Sequence, residues 1–212
     1  MLRKALSLAL LLHACGCLGA QDVSAFRKIS RPEKRWALAH PFAAKKAFKL
    51  TRFVLHVCDS LRNDTSLDGD MNGGQLDAFR HAYWMCLLTQ HIPAKKAYKL
   101  GVAHEKGNMY DFKRKDLEEN VRPDSMACVM DLINDQLGIQ FGLGNVHSKK
   151  RLSDTDLVGL IINEVRGGHM SILLKNKEGR FVTCDGDAIN MADYRDKWNV
   201  PKCLAKSDFI NK

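Results

Sequence analysis

Apolar side chains recur at helical spacing along most of this chain. Over residues 32–57 they return every three or four positions, which predicts one or two amphipathic helices with Pro41 as a break or a new first turn. The stretch 63–74 is rich in Asp, Asn and Gly, so it is predicted to be a loop. A helix with little polar surface after His81 is predicted over about 75–90.

Three more helices are predicted downstream. One opens at Pro93 and stops at Gly107, and the charged residues 106–123 that follow are predicted to be a connection. Another covers about 124–137, with its cap at the first or second of these residues. The last covers about 157–165. Glycines are predicted to close the second of these helices: Gly138, Gly142 and Gly144.

The pattern becomes β-like near the C-terminus. The runs 170–174 and 180–184 are separated by Lys-Asn-Lys-Glu-Gly, which predicts a β-hairpin with Gly179 at a positive φ. The predicted fold is therefore mainly α, a compact helical domain of about five to six helices with a small C-terminal β-hairpin.

A chain of 212 residues suits one domain. Residues 21–152 are predicted to form a helical domain with a motif core over 72–142. Residues 153–212 are predicted to add a helix, the hairpin and an irregular tail, packed on the same domain.

The first twenty residues have the layout of a secretory signal peptide. Two basic residues precede an apolar run over 5–12 and then small residues, which predicts cleavage before Gln21 and export to the periplasm or the cell exterior. Lipid attachment at Cys15 or Cys17 is an alternative, because each follows a loosely lipobox-like sequence. No later segment is apolar for long enough to span a bilayer.

Export predicts an oxidising compartment for the five remaining cysteines. Cys58, Cys86 and Cys128 lie in helical apolar patterns and are predicted to be buried. Cys184 and Cys203 lie in the tail, where a disulfide would restrain a segment with little core of its own.

The net charge is +9, and it falls to +7 once the signal peptide is removed. Much of the excess lies in residues 27–52, where Glu33 is the one acidic residue. This basic segment is either a solvated helix face or a surface for an anionic partner or substrate, such as lipid, polysaccharide or nucleic acid. No basic and aromatic pattern specific for nucleic acid is present.

The sequence Asp68-Gly-Asp70-Met-Asn72-Gly-Gly resembles the first half of a calcium-binding loop. The usual closing glutamate is missing, although Asp77 could replace it. Ca²⁺ or another divalent metal is therefore one prediction, and a turn without an ion is the other.

The helix predicted after this loop has three charged or titratable side chains among apolar ones. Asp77 and His81 share a face, with Arg80 beside them and apolar residues around most of the circumference. Buried charges need partners, so these groups are either an internal salt-bridge network or the catalytic part of a site.

Two other helices offer such partners. His104 is predicted to point inward with Glu105 next to it, because Ala97 and Gly101 allow close helix approach. Asp131, Asn134 and Asp135 form a polar stripe that either binds a metal or faces water, with water favoured for Asp135.

Three motifs carry a resemblance to a known family: Asp-Ala-Phe-Arg-His-Ala-Tyr-Trp, Ala-His-Glu and Met-Asp-Leu-Ile-Asn-Asp. Over residues 72–142 the chain resembles uncharacterised helical domains of exported bacterial proteins and polymorphic toxins. The resemblance implies an α-helical domain with an inward polar cluster, and Asp135 stands where a second asparagine is common.

Three functions follow from these features. In the first, a hydrolase of an ester or phosphodiester uses His81 as general base, Asp77 to orient its ring and Arg80 to stabilise an anion. His104, Glu105 and Asp131 then bind a metal or complete the acid–base set. In the second, the protein is a non-catalytic secreted or envelope module, and a toxin-like nuclease is the third.

Overall fold

The computed structural model describes residues 29–115 and 122–209. The predicted signal peptide over 1–20, with Cys15, Cys17 and the cleavage position at Gln21, lies outside these residues. Within them the elements are α1 (Arg31–Ala39), α2 (Pro41–Leu61), α3 (Gln75–His91), α4 (Ala94–Arg114), α5 (Ser125–His147), α6 (Asp156–Arg166), β1 (Ser171–Leu173) and β2 (Leu204–Lys206). The predicted fold class, mainly α with a small β element near the C-terminus, is confirmed.

Local sequence signals define several of the helix starts. Ser30 and Glu33 form a capping box at α1, with Ser30 N donating to Glu33 Oε2 at 2.8 Å. Pro41 is the first residue of α2, as the pattern predicts. Asp124 caps α5 by accepting from the Met126 and Ala127 amides.

Helix α3 is the central element. It packs on α2, α4, α5, α6 and β1, and its most extensive contact is with α5. Thirteen of its 17 residues are buried, which is the result expected for a helix that is apolar on nearly every side. The polar side chains among these buried residues, such as Asp77 and His81, must therefore find their partners inside the protein.

Helix α5 continues ten residues beyond the predicted end at Leu137. Its glycines are contact positions: a Cβ at Gly138 would lie 2.1 Å from the Ala82 carbonyl oxygen, and one at Gly142 would lie 2.6 Å from the Cys86 carbonyl oxygen. The glycines let the α5 backbone approach α3, so here they serve packing and do not stop the helix.

Helix α4 also passes its predicted stop. Gly107 is buried within it, and a Cβ there would lie 2.5 Å from Ser30 Oγ. The helix ends at Arg114, and the C-cap residue Lys115 has φ 63°. Residues 106–114, predicted to be a connection, are therefore helical because Gly107 seats α4 against the start of α1.

The strand pairing near the C-terminus differs from the predicted hairpin. β1 pairs antiparallel with β2, and the segment 180–184 contributes only isolated bridges, one of them between Lys175 and Phe181. Gly179 does have a positive φ of 74° in the turn between the two runs. A disulfide joins Cys184 to Cys203, next to β2.

Three cysteines outside the disulfide lie in the interior of the fold. Cys58, Cys86 and Cys128 are buried, as their apolar patterns predict. Within residues 29–115 and 122–209, none of the helices has the length and apolar character needed to cross a bilayer.

A buried aspartate–histidine cluster as candidate functional site

The loop before α3 is held by its own carboxylates and by a distant lysine. Asp68 accepts two amide hydrogens from the first turn of α3, at 2.8 and 3.2 Å. Asp70 Oδ1 accepts from the Asn72 amide at 3.0 Å. Lys175 Nζ donates to Asp70 Oδ2 and, at 2.8 Å, to the Asn72 carbonyl. An ammonium group supplies positive charge to this loop, and calcium binding here stays a prediction.

Asp77 connects this loop to the polar cluster. Its Oδ2 accepts from the Gly73 amide at 2.7 Å, and its Oδ1 accepts from Arg80 Nη2 at 2.6 Å. Asp77 is 5% exposed, so the ion pair with Arg80 is shielded from bulk water. The first turn of α3 therefore fixes the Arg80 guanidinium beside the histidine that follows it.

His81 is surrounded by three carboxylates. Its Nδ1 lies 3.1 Å from Asp135 Oδ1, and its Nε2 lies 3.4 Å from Asp131 Oδ1 and 3.9 Å from Asp77 Oδ1. An ionised carboxylate only accepts, so Nδ1 donates its hydrogen to Asp135. Asp135, not Asp77, thus fixes the orientation of the imidazole ring.

Asp135 is 1% exposed, and the prediction that it faces water is wrong. The physical reason lies in α4, where Gly101 has no side chain. A Cβ at Gly101 would lie 2.2 Å from Asp135 Oδ2, so the glycine leaves the space that the carboxylate occupies.

Three residues of the cluster have the geometry of a metal-binding group. Asp77, His81 and Asp131 each offer one ligand atom, and these atoms lie within 4.8 Å of one another. Among the residues that the structure describes, Asp131 Oδ1 and Asp135 Oδ2 are buried without a hydrogen-bond partner. Asp131 Oδ1 has an ionic contact of 3.4 Å with His81 Nε2, and a bound cation would further lower the cost of burying these carboxylates.

The electrostatics of the cluster favour a protonated histidine. Burial lowers the pKa of His81, but the charges of Asp131 and Asp135 and the hydrogen bond to Asp135 outweigh burial and raise the pKa to about 9. Burial also raises the pKa of Asp131 well above its usual value. An imidazolium cannot accept a proton, so His81 is a poor general base in the metal-free protein.

His104 lies at the edge of the cluster. Its ring centroid is 6.2 Å from that of His81 and 5.7 Å from that of Trp84. His104 Nδ1 lies 3.3 Å from Glu33 Oε1, which makes Glu33 its orienting partner. Glu105 is buried on the same helix, accepts from Asn108 at 3.1 Å, and has its pKa raised by burial.

A cavity of about 360 Å³ adjoins the cluster. Arg80 and His81 from α3 and His104 from α4 line it beside mainly apolar residues of α1 and α2. The histidine cluster is therefore buried behind a space large enough for a ligand.

The structure thus brings together Asp77, Arg80, His81 and Asp131, with His104 adjacent. Asn134 is directed elsewhere, because its amide group exchanges two hydrogen bonds of 2.9 Å with the Ser171 backbone.

Asp68, Asp70 and Asn72 form a separate loop. Sequence reasoning missed the roles of Asp135, Lys175 and Glu33. Asp135 lies four positions after Asp131 and so shares its helix face, but the distant partners of Lys175 and Glu33 leave no local signal.

A family model matches residues 34–168, which is more than half of the chain. The match includes most of α1, all of α2 to α6 and every residue of the buried cluster. No curated protein and no solved structure matches the chain. The chain therefore belongs to the family described as Domain of unknown function (DUF6973).

Proposed function

We propose that this protein is a hydrolase of an ester or phosphodiester, with a divalent metal bound by Asp77, His81 and Asp131. The convergence of these three buried ligand atoms within 4.8 Å carries the proposal. Imidazole is a poor ligand for Ca²⁺, which prefers oxygen, and a common ligand for Zn²⁺ and other transition metals. The cluster therefore favours a transition metal over calcium.

The residues around the metal group have distinct roles in this proposal. Asp135 accepts from His81 Nδ1 and would leave Nε2 available to hold the metal, as a carboxylate behind a histidine ligand does in many metal sites. Arg80 lines the cavity and stabilises the anion that develops when water attacks the substrate. When bound, the metal supplies Lewis-acid activation.

Hydrolysis transfers the hydroxyl of water to the acyl or phosphoryl centre and a proton to the leaving oxygen. His104 is the candidate for moving that proton, because it lines the same cavity and is held by Glu33. Histidine is the side chain best suited to proton transfer near neutral pH.

Metal binding tests the proposal directly. Purified protein titrated with Zn²⁺, Mn²⁺ and Ca²⁺ in a calorimeter should bind one transition-metal ion. Asp131→Asn should weaken that binding at least about tenfold, because it removes a charged ligand while keeping the side-chain shape. Hydrolysis of soluble ester and phosphodiester substrates by the metal-loaded protein should fall by a similar factor.

The matched control is Asp185→Asn, which neutralises an exposed carboxylate outside the cluster. It should leave metal binding and turnover unchanged. Wild-type metal affinity in a folded Asp131→Asn variant would rule out the proposed metal site. Metal binding without turnover of any ester would rule out the proposed hydrolase activity.

A second candidate function is a non-catalytic module in which the cluster is structural. The burial of His81, which is 2% exposed, favours this alternative. The contact between His81 and Asp135, which links α3 to α5, also favours it. A structural network requires no metal, so the same titration separates the two functions.

We also propose that the protein is exported and that α1 and α2 contact an anionic lipid surface. The Cys184–Cys203 disulfide supports export, since disulfides persist in oxidising compartments. Mass spectrometry of the N-terminal peptide of the mature protein tests export.

The lipid surface is inferred from the charge and the apolar residues of α1 and α2. Residues 29–52 carry seven basic residues and one acidic residue, next to exposed Leu38, Phe42 and Phe53. Basic and apolar side chains together suit lipid better than polysaccharide.

Vesicle binding checks the lipid surface. The protein should co-sediment with vesicles containing phosphatidylglycerol at least about tenfold more tightly than with phosphatidylcholine vesicles, because several lysines and arginines are close to the surface. Phe42→Ser should weaken this binding several-fold, since Phe42 is 79% exposed and available for insertion. Phe209→Ser, which changes an exposed phenylalanine outside α1 and α2, should not weaken it. Equal binding to both vesicles would contradict the proposal.

A further inference from the structure

We propose that the cavity beside the cluster binds the acyl chain of an anionic amphiphile, with the charged head near Arg80. This inference names the substrate class of the proposed hydrolase and relies on that function for the chemistry at Arg80. It concerns a space enclosed by four helices, α1 to α4, and not the lipid-facing surface itself.

The walls of the cavity are mainly apolar. Six side chains illustrate this: Trp36, Ala47, Phe48, Val54, Leu55 and Leu100. The volume of about 360 Å³ lies within the roughly 300–1,000 Å³ usual for ligand pockets. Transfer of a hydrocarbon chain from water into such a space is favourable. A polar ligand would bury most of its polar groups there without hydrogen-bond partners.

The charged groups on the lining favour an anion over a cation. Arg52, Arg80, His81 and His104 line the cavity, and Glu33 is the one carboxylate among the lining residues. Glu33 is engaged with His104 at 3.3 Å, and Arg80 is engaged with Asp77 at 2.6 Å. Arg52 is exposed at the cavity and lies 5.9 Å from the Phe48 ring centroid. A ligand with an apolar body and a negative head matches both properties of the lining.

The position of the cavity fits delivery of a lipid from a membrane. Leu55 lines the cavity and is 42% exposed, so the cavity wall reaches the protein surface on α2. The same helix carries Lys45, Lys46 and Lys49. An acyl chain could therefore pass from a lipid surface to the cavity along one helix.

Binding of n-alkyl phosphates to metal-free protein tests the inference without requiring turnover. Calorimetric affinities for chains of six to twelve carbons, kept below the micelle concentration, should rise roughly three- to fourfold per methylene until the cavity is filled. The dodecyl phosphate should bind at least about tenfold more tightly than dodecyltrimethylammonium, because the lining is cationic.

Filling the cavity should remove this binding. Ala44 and Ala37 both line it and are partly exposed, so Ala44→Phe and Ala37→Phe are two independent filling variants. Each should weaken dodecyl phosphate at least about tenfold. Ala39→Phe adds the same ring at an exposed position outside the lining and should leave the affinity unchanged.

The outcomes separate this inference from the proposed function. Chain-length-independent affinity, or full affinity in both folded filling variants, would overturn the acyl cavity even if short esters are hydrolysed. Binding that depends on chain length, without any hydrolysis, would support the acyl-binding cavity and contradict the proposed hydrolase activity.

Discussion

Gly138→Ala is expected to lower the free energy of unfolding by about 3 kcal/mol. The new methyl group would lie 2.1 Å from the Ala82 carbonyl oxygen and 2.8 Å from the Ala82 Cα. These are backbone atoms of α3, the central helix, so the clash can be relieved only by moving two packed helices apart. Denaturant unfolding followed by circular dichroism measures the change.

Gly144→Ala is the matched control in the same helix. A Cβ at Gly144 meets no atom within 4 Å, and alanine is the better helix former. This variant should raise the unfolding free energy by about 0.5–1 kcal/mol. If Gly138→Ala proves as stable as the wild type, α3 and α5 do not pack through this glycine.

The metal-free protein is expected to lose about 3 kcal/mol of stability between pH 6 and pH 9 through His81. Its pKa is about 9 in the folded protein and 6.5 as the ordinary value. A raised pKa means that the stabilising contribution is complete below pH 6.5 and is lost as the pH rises through 9. Denaturant unfolding in the presence of a chelator, repeated at half-unit intervals, measures the slope.

His81→Gln should reduce the slope of the stability profile over this window, because glutamine does not titrate. His56→Gln removes an exposed histidine and should keep the wild-type slope. Identical slopes in the wild type and His81→Gln would show that the carboxylates do not hold a proton on His81.

Helix positions were largely predictable from the sequence because their signals are local. The apolar spacing located α3 and α6 to within a residue or two, and Pro41 marked the start of α2. The same spacing made α3 apolar on almost all sides, so burial of Asp77 and His81 could be inferred before any partner was known.

The roles of the glycines, in contrast, depend on contacts between helices. Gly107 and Gly138 have the sequence appearance of helix ends, yet each lies inside a helix and against another segment. A glycine relieves steric conflict at a positive φ and also at a close contact, and the sequence does not distinguish these two uses.

Which helices carry acidic, basic and imidazole groups follows from the sequence alone, as does the burial of Asp77 and His81 on α3. Which of these groups meet depends on tertiary packing. Asp135 contacts His81, Asn134 hydrogen-bonds to β1, and Lys175 pairs with Asp70 in the loop before α3. The reason is that helical periodicity fixes the face of a residue within its own helix, whereas its partners depend on how helices far apart in the chain are placed.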